Sequence, residues 1–113
     1  MNKILKSLLF AISFAISTND IYDDSWALII GIDKYENVQN LNYAVKDAES
    51  IQDILVSSFD FPKDNVTLLK NEQATKQNIL ISFSEITKKA EDSDRVLIFF
   101  AGHGETMDLP EGG

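Results

Sequence analysis

The 113-residue sequence contains no cysteine. It can therefore form no disulfide framework, no thiolate metal site and no lipid-modified Cys. It also lacks the commonest nucleophile that a histidine activates. Histidine is nearly as scarce, since His103 stands alone. A site such as that of zinc takes three or four ligands, and this His has no His or Cys partner at ligand spacing, so no metal is expected. Basic charge is short too: 10 Lys and Arg face 18 Asp and Glu, for a net charge of −8. Such a surface repels phosphate backbones and argues against a nucleic-acid partner. Glycine-rich phosphate loops are missing, because the first strand candidate runs into GIDKYEN, with one Gly and neither GxGxxG nor GxxxxGK[ST]. The acidic clusters Asp20-Asp23-Asp24 and Glu91-Asp92-Asp94 lack the spaced loop with an internal Gly of an EF-hand and read as solvated loops. There is no internal repeat and no low-complexity tract.

What is present suits one globular domain at most, with a hydrophobic fraction of 44% and seven Phe. The chain opens with Lys3 and Lys6, followed by Leu8 to Ile16, apolar apart from Ser13. That stretch falls short of the ~20 apolar residues that span a bilayer, so no stable membrane span is expected. It matches the ~7–15 apolar residues of a signal peptide, with Ala15 and Ser17 as the small residues of a cleavage site. Cleavage after Ser17 is expected, making 1–17 a signal peptide and 18–25 a linker before a domain at 26–113. Eight basic residues then face 18 acidic ones, a net charge of −10. The expected destination is secreted or periplasmic, the alternative being a membrane anchor formed by an uncleaved signal.

Trp26 to Ile32 (WALIIGI) is apolar on successive residues, as in a strand of a parallel sheet covered on both faces. From Tyr43 to Val56, Ala44, Ala48, Ile51 and Leu55 recur at steps of four, three and four, the pattern of an amphipathic helix. Pro62 follows Phe59-Asp60-Phe61 and disfavours helix before it; Asn65 to Lys70 then reads as a short strand. Thr75 is a natural N-cap for a second helix through Ala90, with Ile79, Phe83, Ile86 and Ala90 on one face and Lys88 and Lys89 suiting the C-terminal dipole. Arg95 to Ala101 (RVLIFFA) is the strongest strand signal, and Gly102-His103-Gly104 follows it. Phe59, Phe61, Phe83, Phe99 and Phe100 are expected to pack in the core. Strand, helix, strand, helix, strand with short connections implies a three-layer α/β sandwich with a mainly parallel sheet, cut short after its third core strand.

In open α/β sheets, catalytic groups gather at the carboxyl ends of the strands, where His103 falls. Its flanking glycines free the backbone and bare the imidazole, and a His is the natural general base near neutral pH. A lone His in a glycine turn also serves simply to cap a strand or bond a carbonyl, and position alone leaves both roles open.

Three segments taken together, WALIIGIDKYENVQNLNYAVKDAESI, FDFPKDNVTLLKNEQATKQNI and DSDRVLIFFAGHGE, resemble the large-subunit region of bacterial caspase-like and metacaspase peptidases, from Trp26 to Glu105. The resemblance implies a caspase–hemoglobinase fold and a Cys–His dyad. His103 then matches the catalytic histidine, and Gly104 the residue whose backbone N–H helps form the oxyanion hole. It also implies a nucleophilic Cys about 50 residues beyond His103, whereas ten residues follow it here. Animal caspases carry an Arg before the first helix that reads aspartate, and Asn40-Leu41-Asn42-Tyr43 has none. Calcium is implied only by the metacaspase likeness, and no residues here support it. The expected function is peptide-bond hydrolysis by a cysteine endopeptidase acting on a peptide or protein substrate and completed by the remainder of the caspase domain. A non-catalytic caspase-like binding or scaffold module is the alternative, and an unrelated flavodoxin-like binding domain a third.

Overall fold

The computed structural model describes residues 22–103 and, as backbone alone, residues 7–13. The expected cleavage positions Ala15 and Ser17 and the expected oxyanion residue Gly104 lie outside the described residues. The elements in chain order are β1 (Ser7–Ser13), β2 (Ser25–Gly31), α1 (Ala44–Ser58), β3 (Val66–Lys70), α2 (Lys76–Lys89) and β4 (Arg95–His103). They form one sheet of order β1-β4-β2-β3. Strand β2 is central and runs parallel to both neighbours, with Gly31 opposite Lys70 of β3 and Ala101 of β4. Strand β1 pairs antiparallel along β4, Ser7 opposite His103 and Ser13 opposite Leu97. The sheet is thus mainly parallel, as expected. The β1 pairing was not expected, because that apolar stretch reads as a leader and not as a strand.

The unbroken apolar runs of β2 and β4 are explained by the two layers they separate. Alternate side chains of a strand point to opposite faces. Ala27 and Ile29 of β2, with Phe99 and Ala101 of β4, join Ala44, Ala48 and Leu55 of α1 in one core. Leu28 and Ile30 pack on the other face with Ile86 of α2, where Val96, Ile98 and Phe100 of β4 also sit. The α1 side is the fuller: nine buried residues form its cluster, against three on the α2 side, among the described residues. Two core expectations are corrected. Phe83 shares a stripe with Ile79 and Ile86 but is 39% exposed, because the thin layer below α2 covers only part of the stripe; Phe59 at the end of α1 is 52% exposed. Phe61 is buried as expected.

The helix ends follow elementary hydrogen-bond rules. Thr75 caps α2, its Oγ1 accepting the Asn78 N–H at 3.0 Å. The two acidic clusters are not simply solvated. Asp94 accepts the Trp26 indole N–H at 3.0 Å, and Asp24 accepts from the Asn65 amide at 3.0 Å. At the amino end of the sheet the Arg95 guanidinium lies over the rings of Tyr22 and Phe61, 4.7 and 4.5 Å from their centroids. It also donates to the Phe59 carbonyl at 2.9 Å. These contacts anchor the edge opposite to His103.

Gly31 sets how closely α1 lies on β2. A Cβ there would stand 2.7 Å from Ala48 Cβ and 2.9 Å from the Ala44 carbonyl oxygen. Neither neighbour is the flexible end of a long side chain, so the helix itself must move. Gly31→Ala is expected to destabilise the fold by ~1–3 kcal/mol. The measurement is a fall in denaturant midpoint at unchanged slope; a midpoint equal to that of the unsubstituted chain would show that α1 yields freely.

Candidate active site

The carboxyl edge of the sheet is built from the residues that follow β2 and β3 and from the end of β4. Asp33, two residues past β2, turns back onto the start of α1: its Oδ1 accepts the Ala44 N–H at 2.8 Å, and its Oδ2 accepts from Val45 at 3.3 Å. The residue at the helix N-cap, Tyr43, contributes no side-chain cap, so Asp33 supplies it from a distance. The Leu41 N–H returns to the Asp33 carbonyl at 2.7 Å. From the other side Asn71 Oδ1 accepts the Asp33 N–H at 2.9 Å and the Lys34 N–H at 3.2 Å. Asn71 has φ 49°, the left-handed region that Asn tolerates better than most residues. The segment 33–43 is therefore fixed at its base on two sides, although its surface is open to solvent.

His103 is the last residue of β4, and Gly102 lies within the strand instead of in a loop beyond it. The expectation that Gly102 provides backbone freedom gives way to a steric reason. It does not adopt a positive φ; a Cβ on it would stand 2.6 Å from the Tyr35 hydroxyl oxygen and 2.8 Å from the Phe100 ring. The His103 ring is half-buried and reaches across to the fixed loop, where Nε2 lies 2.8 Å from the Gln39 carbonyl oxygen. A carbonyl has no proton to give, so Nε2 carries the hydrogen and donates it. In the neutral ring Nδ1 is then the basic nitrogen. It is buried and has no hydrogen-bond partner among the described residues. The His103 main-chain N–H donates to the Tyr35 hydroxyl at 2.8 Å, and the two rings meet edge to face with centroids 4.6 Å apart.

Of the roles left open for His103, the structure shows the bond to a carbonyl, and that bond leaves Nδ1 as the bare ring nitrogen. Of the two expected site residues, His103 lies at the sheet edge and Gly104 is beyond the described residues. Tyr35, Gln39 and Asp33 were not singled out in the sequence. Tyr35 left a weak signal, an aromatic residue in an otherwise polar loop straight after a buried strand. Gln39 acts through its main chain, which no side-chain motif reveals. Among the described residues no three His, Asp or Glu side chains converge. Among the described residues no helix is long and apolar enough to cross a membrane.

A family model described as the caspase domain matches residues 24–112. The chain is 30% identical over 90 residues to metacaspase-1 of Eremothecium gossypii, covering 74% of this chain and 20% of that protein. It is 31% identical over 90 residues to metacaspase-1A of Aspergillus oryzae, covering 74% and 22%. With metacaspase-7 of Arabidopsis thaliana the identity is 33% over 92 residues, covering 77% and 23%. The chain thus spans about a fifth of the length of these curated relatives.

The Tyr35 phenol titrates above its ordinary value, chiefly because burial disfavours the phenolate; the bond from the His103 amide opposes the shift and the Asp33 carboxylate adds to it. A raised folded value means that the neutral phenol is favoured in the folded state. Its contribution to stability is full below the unfolded value of about 10 and is lost as pH rises from there through the raised folded value. Denaturant midpoints measured from pH 8 to 11 should therefore fall more steeply above pH 10 in the unsubstituted chain than in Tyr35→Phe. Parallel profiles would contradict the burial of this hydroxyl.

Proposed function

The chain belongs to the caspase-domain family, a family of cysteine peptidases, and on that premise we propose that it supplies the histidine-bearing part of a cysteine-type endopeptidase site. His103 is the acid–base group of this reading. The observation that carries it is the tethered imidazole: Nε2 is committed to the Gln39 carbonyl and Nδ1 is buried and bare. The nucleophile comes from outside these 113 residues, which contain no Cys.

The chemistry follows from which nitrogen is free. Nδ1 takes the thiol proton, and the thiolate attacks the peptide carbonyl carbon, forming a C–S bond as the carbonyl π electrons move onto oxygen. Fixed N–H donors stabilise that oxyanion, a role we assign to the Gly104 backbone. As the oxyanion collapses and the C–N bond breaks, the imidazolium returns its proton from Nδ1 to the leaving amine. Water, giving a proton to Nδ1, then cleaves the thioester and restores the thiol. The Gln39 carbonyl favours this cycle because it stabilises the imidazolium and prevents the ring from flipping. The substrate class is a peptide or protein, and the partner is the remainder of the caspase domain. With no Arg in Asn40–Tyr43, aspartate recognition has no support.

A second reading, a non-catalytic caspase-like binding or scaffold module, draws on the lack of any Cys in these residues. The two readings part on His103. In a chain that includes a downstream Cys, His103→Ala should reduce cleavage of a peptide panel by roughly 10²–10⁴-fold or more with an unchanged circular dichroism spectrum. Retained cleavage sinks the dyad. A module that only binds would keep its partner affinity in the same variant.

Export is part of the proposal as well, supported by the basic and apolar start of the chain. The intact mass of exported protein should correspond to a chain beginning at Thr18. A mass that retains the first 17 residues would favour the uncleaved anchor instead.

A further inference from the structure

The Tyr35 hydroxyl joins two main-chain groups that belong to different strand ends. It accepts the His103 N–H at 2.8 Å and donates to the Ile32 carbonyl at 3.0 Å. Both directions are fixed, since an amide N–H only donates and a carbonyl only accepts. The same side chain places its ring edge-on against the imidazole, at an interplanar angle of 67°. Its own backbone N–H is tied to Asn40 Oδ1 at 2.8 Å, one residue from the carbonyl that holds Nε2. The absence of a Cβ on Gly102 leaves the space the hydroxyl occupies. Apart from the strand pairing of His103 with Ser7, the contacts among the described residues that fix the backbone of His103, the plane of its ring and its tautomer run to Tyr35 or to the loop it anchors.

We propose that Tyr35 is the positioning residue of His103, its hydroxyl holding the His103 amide and its ring steadying the imidazole so that Nε2 meets Gln39 and Nδ1 stays bare. This inference rests on the reading of His103 as the acid–base group and deepens it by naming what orients that group. Tyr35 touches no reacting atom. Phenylalanine at this position keeps the ring but leaves the Ile32 carbonyl and the His103 N–H without their shared partner.

Because His103 is the single histidine of the chain, ¹⁵N-labelled histidine gives one set of imidazole signals with no assignment problem. At a pH where the ring is neutral, the unsubstituted chain should show the Nε2–H tautomer. Tyr35→Phe should retain its circular dichroism spectrum, show a mixture of tautomers, and exchange the His103 amide proton roughly five-fold faster or more, as expected for one lost hydrogen bond. Gly102→Ala, whose methyl would displace the hydroxyl, should reproduce both changes and serves as the test if Tyr35→Phe does not fold. Tyr43→Phe, at a residue 67% exposed, should change neither. A folded Tyr35→Phe with the original tautomer and exchange rate overturns the inference, as does a folded Gly102→Ala with both unchanged. Cleavage that survives His103→Ala in an extended chain would instead strike the acid–base reading and leave this geometry intact.

Discussion

The carboxylate of Asp33 accepts the first N–H groups of a helix that begins eleven residues later, and the carboxyl edge of the sheet is organised around that contact. A helix N-terminus carries unsatisfied donors and a partial positive charge, so a carboxylate placed there is held by both. The consequence is geometric. Closing the chain between Asp33 and Ala44 makes the intervening residues a hoop of fixed diameter, and the bonds from Leu41 and to Asn71 remove its remaining freedom to swing. Tyr35 and Gln39 both ride on this hoop. The distance from Gln39 to His103 therefore depends on how β2 is fastened to α1 as well as on the loop's own Tyr35 and Asn40.

The energies involved are individually small. A helix cap is worth ~1 kcal/mol, and a neutral hydrogen bond ~0.5–1.5 kcal/mol net. A domain's whole stability is only ~5–15 kcal/mol. Several such bonds concentrated on one loop are thus not negligible beside the whole, in a segment whose surface is largely open to solvent. What they determine is less stability than chemical identity. A histidine free to rotate offers either nitrogen to its surroundings, whereas one bonded through Nε2 to a carbonyl offers only Nδ1. The main-chain acceptor is well suited to this, because it cannot itself be protonated near neutral pH and so never exchanges roles with the ring.

The layers of the fold were readable because both faces of the sheet are covered: WALIIGI and RVLIFFA read as short, continuously apolar strands flanked on each side, and the steps of Ala44, Ala48, Ile51 and Leu55 marked the face that α1 buries. His103 was readable from its place after the last strand. Tyr35 and Gln39 were not, for a physical reason. Their roles depend on a long-range cap, on an Asn in the left-handed region and on main-chain atoms, none of which leaves a periodicity in the sequence. Gly102 was noticed for the wrong property. Spacing suggests conformational freedom for any glycine, whereas this one yields space to the Tyr35 hydroxyl. The exposure of Phe83 was hidden for a similar reason, since a helical stripe records which residues face inward but not how much sheet lies beneath them.

The arrangement of strands also carries a rule of occupancy. A strand has two hydrogen-bonding edges, and on β4 one is taken by β2 and the other by residues 7–13. With both edges filled, β1 is the outermost strand on that side among the described residues. While residues 7–13 are in place no further strand can lie directly beside the His103 strand, and the proposed cleavage after Ser17 removes them, freeing that edge for a newcomer one strand spacing, ~4.8 Å, from β4.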